Sequence, residues 1–116
     1  MKNIQYEDVD NIRALNSEPV QIFLLRYFGP GCCDNWEKTV LFPLAEKFNS
    51  YNWYNLYIDQ TTIPFPPQVV PVFYIYFKDW KYPFVFNGER SYKEYLKIFE
   101  KINLVTIGIH PTEIFN

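Results

Sequence analysis

A chain of 116 residues fits one compact domain, and a hydrophobic content of 48% supplies a core without disulfide staples. The net charge is −2, the sequence pI is near 5.3, and no two basic residues are adjacent. This excludes nucleic acid and anionic membrane as the expected main partners, since both reward clustered Lys and Arg.

The N-terminus meets Glu7 and Asp8 before any apolar run, so no signal peptide is expected. The longest uncharged stretch, Gln60 to Phe77, holds Pro64, Pro66, Pro67 and Pro71, which break a spanning helix. A soluble, cytoplasmic protein is expected, in a compartment that keeps its two cysteines as thiols. Aromatic residues make up 21% of the chain, alongside plentiful Asn and Ile. That pattern reads as coding bias rather than a cofactor box, and no cofactor is expected.

Asn3–Tyr6 is a short candidate strand. Val9, Ile12 and Leu15 recur at spacing three and predict a short amphipathic helix over Glu7–Leu15, with acids in its first turn. Val20–Phe28 is the clearest strand. Ile22, Leu24 and Phe28 lie on one face, and Phe23, Leu25 and Tyr27 on the other, as in a central strand covered on both sides. Arg26 interrupts that pattern. Gly29-Pro30-Gly31 is a turn, after which Asp34 and Glu37 have the spacing of a capping box. Trp36, Val40, Leu44 and Phe48 give the following helix, Asp34–Asn49, a buried face, and Pro43 is expected to kink it.

Trp53–Ile58 is a third strand, ending at Asp59. Thr61–Val70 is too rich in proline for a helix and is expected to run as an irregular loop. Val72–Phe77 and Tyr82–Phe86 are β-rich runs separated by four residues, which predicts an antiparallel hairpin. Ser91 and Glu94 form a second capping box, opening a helix with Tyr92, Tyr95, Phe99 and Ile102 on one side. A single domain over residues 1–104 is expected, followed by a tail over 105–116. The order β-α-β-α-β then β-β-α calls for parallel strands with right-handed crossovers, closed by a hairpin and a packed helix.

That order resembles the thioredoxin fold. The strand Phe23-Leu24-Leu25-Arg26-Tyr27-Phe28 enters a Gly/Pro turn and a Cys just before a kinked helix, as in thioredoxins. Asn55-Leu56-Tyr57-Ile58-Asp59 looks like the family's third strand. Val70-Pro71-Val72-Phe73 looks like the segment carrying its cis-proline, and Gly88 with Ser91 matches the opening of its last helix. The likeness spans about Asn3 to Leu104. It implies an α/β thioredoxin-like domain with a mixed central β-sheet flanked by α-helices. It also implies thiol–disulfide exchange with protein substrates or glutathione.

Several positions depart from the family's pattern. With Cys32 in the first place of the motif, Cys-x-x-Cys becomes Cys32-Cys33-Asp34-Asn35. Gly31 stands where the family usually has Trp, and Arg26 where it buries an aspartate. Pro43 lies three residues later than the family's kink, and the stretch from Asp59 to Pro71 is too short for the customary helix. A spliceosomal thioredoxin-like branch keeps the fold without the dithiol.

A helix N-terminus and a nearby Arg26 favour a thiolate at Cys32 or Cys33, while Asp34 opposes it. With Asn35 in place of the second Cys, release of a mixed disulfide on Cys32 needs Cys33 or an outside thiol. Two structurally tolerated thiols are the competing reading, and a strained Cys32–Cys33 disulfide is a minor one. Two Cys and a distant His110 fall short of a structural zinc set, and no metal is expected.

Arg26 is expected to pair with Asp59 or Glu37, or else to activate Cys32. Pro71 is either a cis-proline shaping, with Val70, a groove for an extended peptide, or a strand-entry proline in trans. Trp36 and Trp53 are expected in the core, and Trp80 at an exposed hairpin tip. Two functions follow. One is thiol–disulfide exchange through Cys32, alone or with Cys33. The other is a redox-inactive module binding a protein partner beside Pro71.

Overall fold

The computed structural model describes residues 1–15, 18–27, 34–58 and 71–115. Strand β1 is Lys2–Ile4, followed by a 3-10 turn at Tyr6–Asp8 and helix α1 at Val9–Leu15. Strand β2 is Val20–Tyr27. A continuous helical run then comprises α2 (Asp34–Trp36), a π turn (Glu37–Leu41) and α3 (Phe42–Lys47). Strands β3 (Asn52–Ile58), β4 (Val72–Phe77) and β5 (Phe84–Asn87) follow, then helix α4 (Tyr92–Thr106) and a 3-10 turn at Pro111–Glu113. None of the described helices is long and apolar enough to cross a membrane.

The strands form one five-stranded sheet in the order β1-β3-β2-β4-β5. Strand β3 is parallel to both β1 and β2, while β4 runs antiparallel to β2 and β5 antiparallel to β4. The mixed α/β architecture expected from the sequence is therefore present, with β2 at its centre. Ile22 and Leu24 are fully buried against the side covered by α2, α3 and α4, and Phe23 and Leu25 are buried on the α1 side. The two-sided apolar pattern of β2 follows from that position.

The larger core is aromatic. Trp53 stacks on Phe99 at 5.2 Å between ring centroids, and Phe73 meets Tyr95 edge-on at 5.0 Å. Aromatic pairs in such offset and edge geometries add about 0.5–1.5 kcal/mol beyond the area they bury. Tyr95, Phe99 and Ile102 are fully buried, so the face of α4 expected from their spacing is the packed one. Ser91 caps α4: its hydroxyl accepts from the Glu94 N–H, and the Glu94 carboxylate accepts from the Ser91 N–H in return.

Several elements differ from the sequence expectation. Strand β1 ends at Ile4, and Tyr6–Asp8, expected partly in that strand and partly in the first helix, is a 3-10 turn. The helix after Asp34 is not α-helical throughout: a π turn, Glu37–Leu41, comes just before Pro43. Pro43 has no N–H to give, and its ring crowds the carbonyl four residues back. The chain widens by one residue, and the Phe42 N–H reaches the Glu37 carbonyl. Strand β5 begins at Phe84 rather than Tyr82, after Pro83. Trp80 is half-buried rather than exposed: its ring lies against Phe84 and His110, and its carbonyl accepts from Arg13 at 2.7 Å. Helix α4 continues to Thr106, beyond Leu104. After it the chain folds back, placing Phe115 against Phe77, Phe84 and Phe86. The expected turn at Gly29-Pro30-Gly31 and the irregular stretch Thr61–Val70 lie outside the described residues.

Candidate functional site

The carboxyl ends of the parallel strands, the start of α2 and the entry to β4 meet at one end of the sheet. Register brings them together. Leu25 of β2 stands opposite Val72 of β4, so Arg26 and Pro71 are level one step further along. On the other side Arg26 stands opposite Tyr57 of β3.

Arg26 is 6% exposed, and a charge so buried needs partners. Its Nε donates to Asn55 Oδ1 at 2.8 Å and its Nη2 to the Tyr57 hydroxyl at 3.0 Å. Its guanidinium also lies 4.9 Å from the centre of the Tyr57 ring, and Nη1 forms an ion pair with Glu37. Asn55 in turn donates from Nδ2 to Asn3 Oδ1 at 3.1 Å, so the polar row crosses β2, β3 and β1. Glu37, expected either to complete a capping box or to pair with Arg26, gives its carboxylate to Arg26. The other expected partner, Asp59, lies outside the described residues.

Asn55 and Tyr57 escaped the sequence reading as partners of Arg26. The signal was present: both alternate with Trp53 on one face of β3, and Asn55 is a polar residue in an otherwise apolar run. What the sequence lacks is the register that puts them beside Arg26.

Around this row, α2 is fixed by Trp36, which is 5% exposed and donates from Nε1 to the Arg90 carbonyl at 3.2 Å. Its ring meets Phe73 of β4 and Tyr95 of α4. Asn35, the fourth position of the Cys32-Cys33-Asp34-Asn35 motif, is exposed, and its carbonyl accepts from the Thr39 hydroxyl at 2.8 Å. Asp34 is the first residue of α2. Pro71 is buried, and its carbonyl accepts from the Gly88 N–H at 2.8 Å. Gly88 has φ +86°, a conformation glycine adopts without strain. The Gly88 carbonyl receives the Tyr95 hydroxyl at 2.6 Å, and burial pushes the Tyr95 phenol up to about 12. Cys32, Cys33 and Val70, the remaining residues of the expected site, lie outside the described residues.

Among solved structures, the chain is similar to chloroplastic thioredoxin z, with a TM-score of 0.69 and 17% identity over 90% of this chain and 95% of that one. It is similar to thioredoxin f2, whose structure was solved as a complex with ferredoxin:thioredoxin reductase. There the TM-score is 0.66 and identity 18%, over 88% of this chain and 94% of the other. The germline-specific thioredoxin Deadhead of Drosophila melanogaster matches at TM-score 0.62 and 15% identity, over 86% and 97% of the two chains. No protein-family model matches the chain, and no curated protein matches its sequence. At these identities the shared property is the arrangement of strands and helices: the chain has a thioredoxin-like fold.

Proposed function

We propose that this protein carries out thiol–disulfide exchange on protein substrates, with Cys32 as the attacking thiol. The Cys32 thiolate attacks one sulfur of a substrate disulfide. A mixed disulfide forms and the other substrate sulfur leaves as a thiolate. Cys33, or an external thiol such as glutathione, then attacks the mixed disulfide and frees the second substrate thiol. Val70 and Pro71 border the substrate, and Arg26, Asp34 and Asn35 set the electrostatics around the thiols.

The observation that carries this reading is the start of α2 at Asp34, the residue after Cys33, at the same end of the sheet as Arg26 and Pro71. Helix starts favour thiolates. A protein partner is further supported by the thioredoxin f2 complex, in which a thioredoxin of this fold sits with a reductase. A cytoplasmic setting, with reducing thiols at hand, belongs to the same proposal.

One observation favours a second reading, a redox-inactive module that binds a protein through the groove beside Pro71. Arg26 occupies the position where thioredoxins bury a proton-transferring aspartate, and it is engaged by Glu37, Asn55 and Tyr57. A guanidinium holds its proton at any physiological pH and does not relay one.

The two readings separate in a thiol-reactivity titration across pH, run beside insulin and glutathione-mixed-disulfide reduction. Exchange through Cys32 predicts a thiol pKa below the free value of about 8.5, lost in Cys32→Ser and retained in Cys33→Ser, with turnover abolished in the former. A thiol near the free value and no turnover would overturn the exchange reading and leave the binding module.

A further inference from the structure

We propose that the outer edge of β5 pairs antiparallel with β5 of a second copy of this chain. The two-fold axis passes between the two Val85 residues, and the two sheets join into one.

The argument begins with backbone parity. The Gly88 N–H reaches the Pro71 carbonyl, and β5 pairs with β4 in the register Phe86↔Phe73 and Phe84↔Ile75. Residues 84, 86 and 88 therefore turn their N–H and C=O groups toward β4, and Val85 and Asn87 turn theirs outward. No described backbone group elsewhere in the chain bonds to these outward groups. Val85 is 50% exposed, and Tyr82 beside it is 70% exposed.

An antiparallel partner centred on Val85 uses these groups completely. The two Val85 residues exchange a pair of N–H···O=C bonds, and each Asn87 N–H reaches the opposite Pro83 carbonyl. Proline has no N–H to return, which would leave the Asn87 carbonyl without a donor across the interface. That carbonyl already accepts from Arg90 Nε of its own chain at 3.2 Å.

Side chains fit the same register. Phe84 stands opposite Phe86 twice, and exposed Tyr82 falls beside Gly88, which offers no side chain to obstruct it. Just beyond the strand ends, exposed Lys81 of each copy comes level with exposed Glu89 of the other, so opposite charges meet twice. A slip of one residue would set Lys81 against Arg90 instead.

The contact is small, one four-residue strand per copy, so the dimer is transient. Pro83 and the short strand limit pairing with unrelated edges while leaving this register open.

The test is sedimentation equilibrium in reductant, which removes any disulfide-linked species. The concentration series runs from roughly 10 μM to roughly 1 mM, the range suited to an interface below about 1,200 Å². Wild type is expected to shift from monomer to dimer. Lys81→Glu and Glu89→Lys should each weaken association about tenfold, and the double swap should restore it. Val85→Pro removes the central donors, which β4 does not use, and should abolish association. Monomer throughout the range overturns the proposal. A dimer indifferent to Val85→Pro and to both charge swaps overturns it equally, by placing the contact on another surface.

Discussion

Glu37 keeps 23% of its side-chain surface exposed while Arg26 keeps 7%, so the two ends of this ion pair are unequally committed to the interior. Glu37→Gln takes a carboxylate from a guanidinium that cannot follow it into solvent. Breaking a fully buried pair costs 3–5 kcal/mol, and the partial exposure of Glu37 brings the expected loss to about 1–3 kcal/mol in urea denaturation. The double variant Arg26→Met, Glu37→Leu should recover only part of that loss: it removes both charges of the pair but leaves the buried Asn55 Oδ1 without its donor. If Glu37→Gln costs nothing, the pair contributes no stability. Tyr95 supplies a pH dependence with a definite sign. Its phenol ionises later in the folded protein, at about 12, than the ordinary value of 10.0. Below pH 10 both states are neutral and the stability is intact; above it the unfolded state ionises first, so stability falls as pH rises toward 12. Burial also raises Tyr51, Tyr74 and Tyr76, which act in the same direction. Unfolding measured from pH 9 to 12 should show this decline, and Tyr95→Phe should make it shallower.

At the scale of elements, the reciprocal cap of Ser91 and Glu94 is the most localised source of stability. Ser91→Ala should cost about 1 kcal/mol and fray the first turn of α4, seen as faster amide exchange there. An unchanged exchange pattern would show that the turn is held by Trp36 and Arg90 instead. This cap was legible in the sequence because its two halves are three residues apart, and the faces of β2 and α4 were legible because their periods are local. The π turn was not. Pro43 announces a disturbance, but whether the chain kinks or widens depends on how Val40, Leu41 and Leu44 seat against the sheet. The row from Asn3 through Asn55 to Arg26 was hidden for a related reason. It depends on which residues of three strands stand level, and strand register is set by the whole sheet. The opening of a helix at Asp34 was readable in the sequence, while Cys32 and Cys33 lie outside the described residues.

For the molecule as a whole, the chain after α4 contributes to the fold. Phe115 closes the end of the aromatic core over Phe77, Phe84 and Phe86, and His110 lies beside Trp80. Phe115→Ala should lower stability by about 1–3 kcal/mol, less than for a fully buried ring because Phe115 is only partly enclosed. It should also raise the exposure of Trp80, measurable as a red shift in tryptophan emission. The sequence suggested a tail but not its path, since one Phe among Ile107, Ile109 and Ile114 does not say which apolar surface it covers. The position of β2 has one more implication, for synthesis. Val20 pairs with Phe77 on one edge while the other edge receives β3. As the chain leaves the ribosome, β3 emerges before β4, so one side of β2 can be closed while the other waits. During that interval the nascent chain presents an open apolar edge. Such exposure makes late strands and chaperone capture decisive for yield, independently of how stable the finished domain becomes.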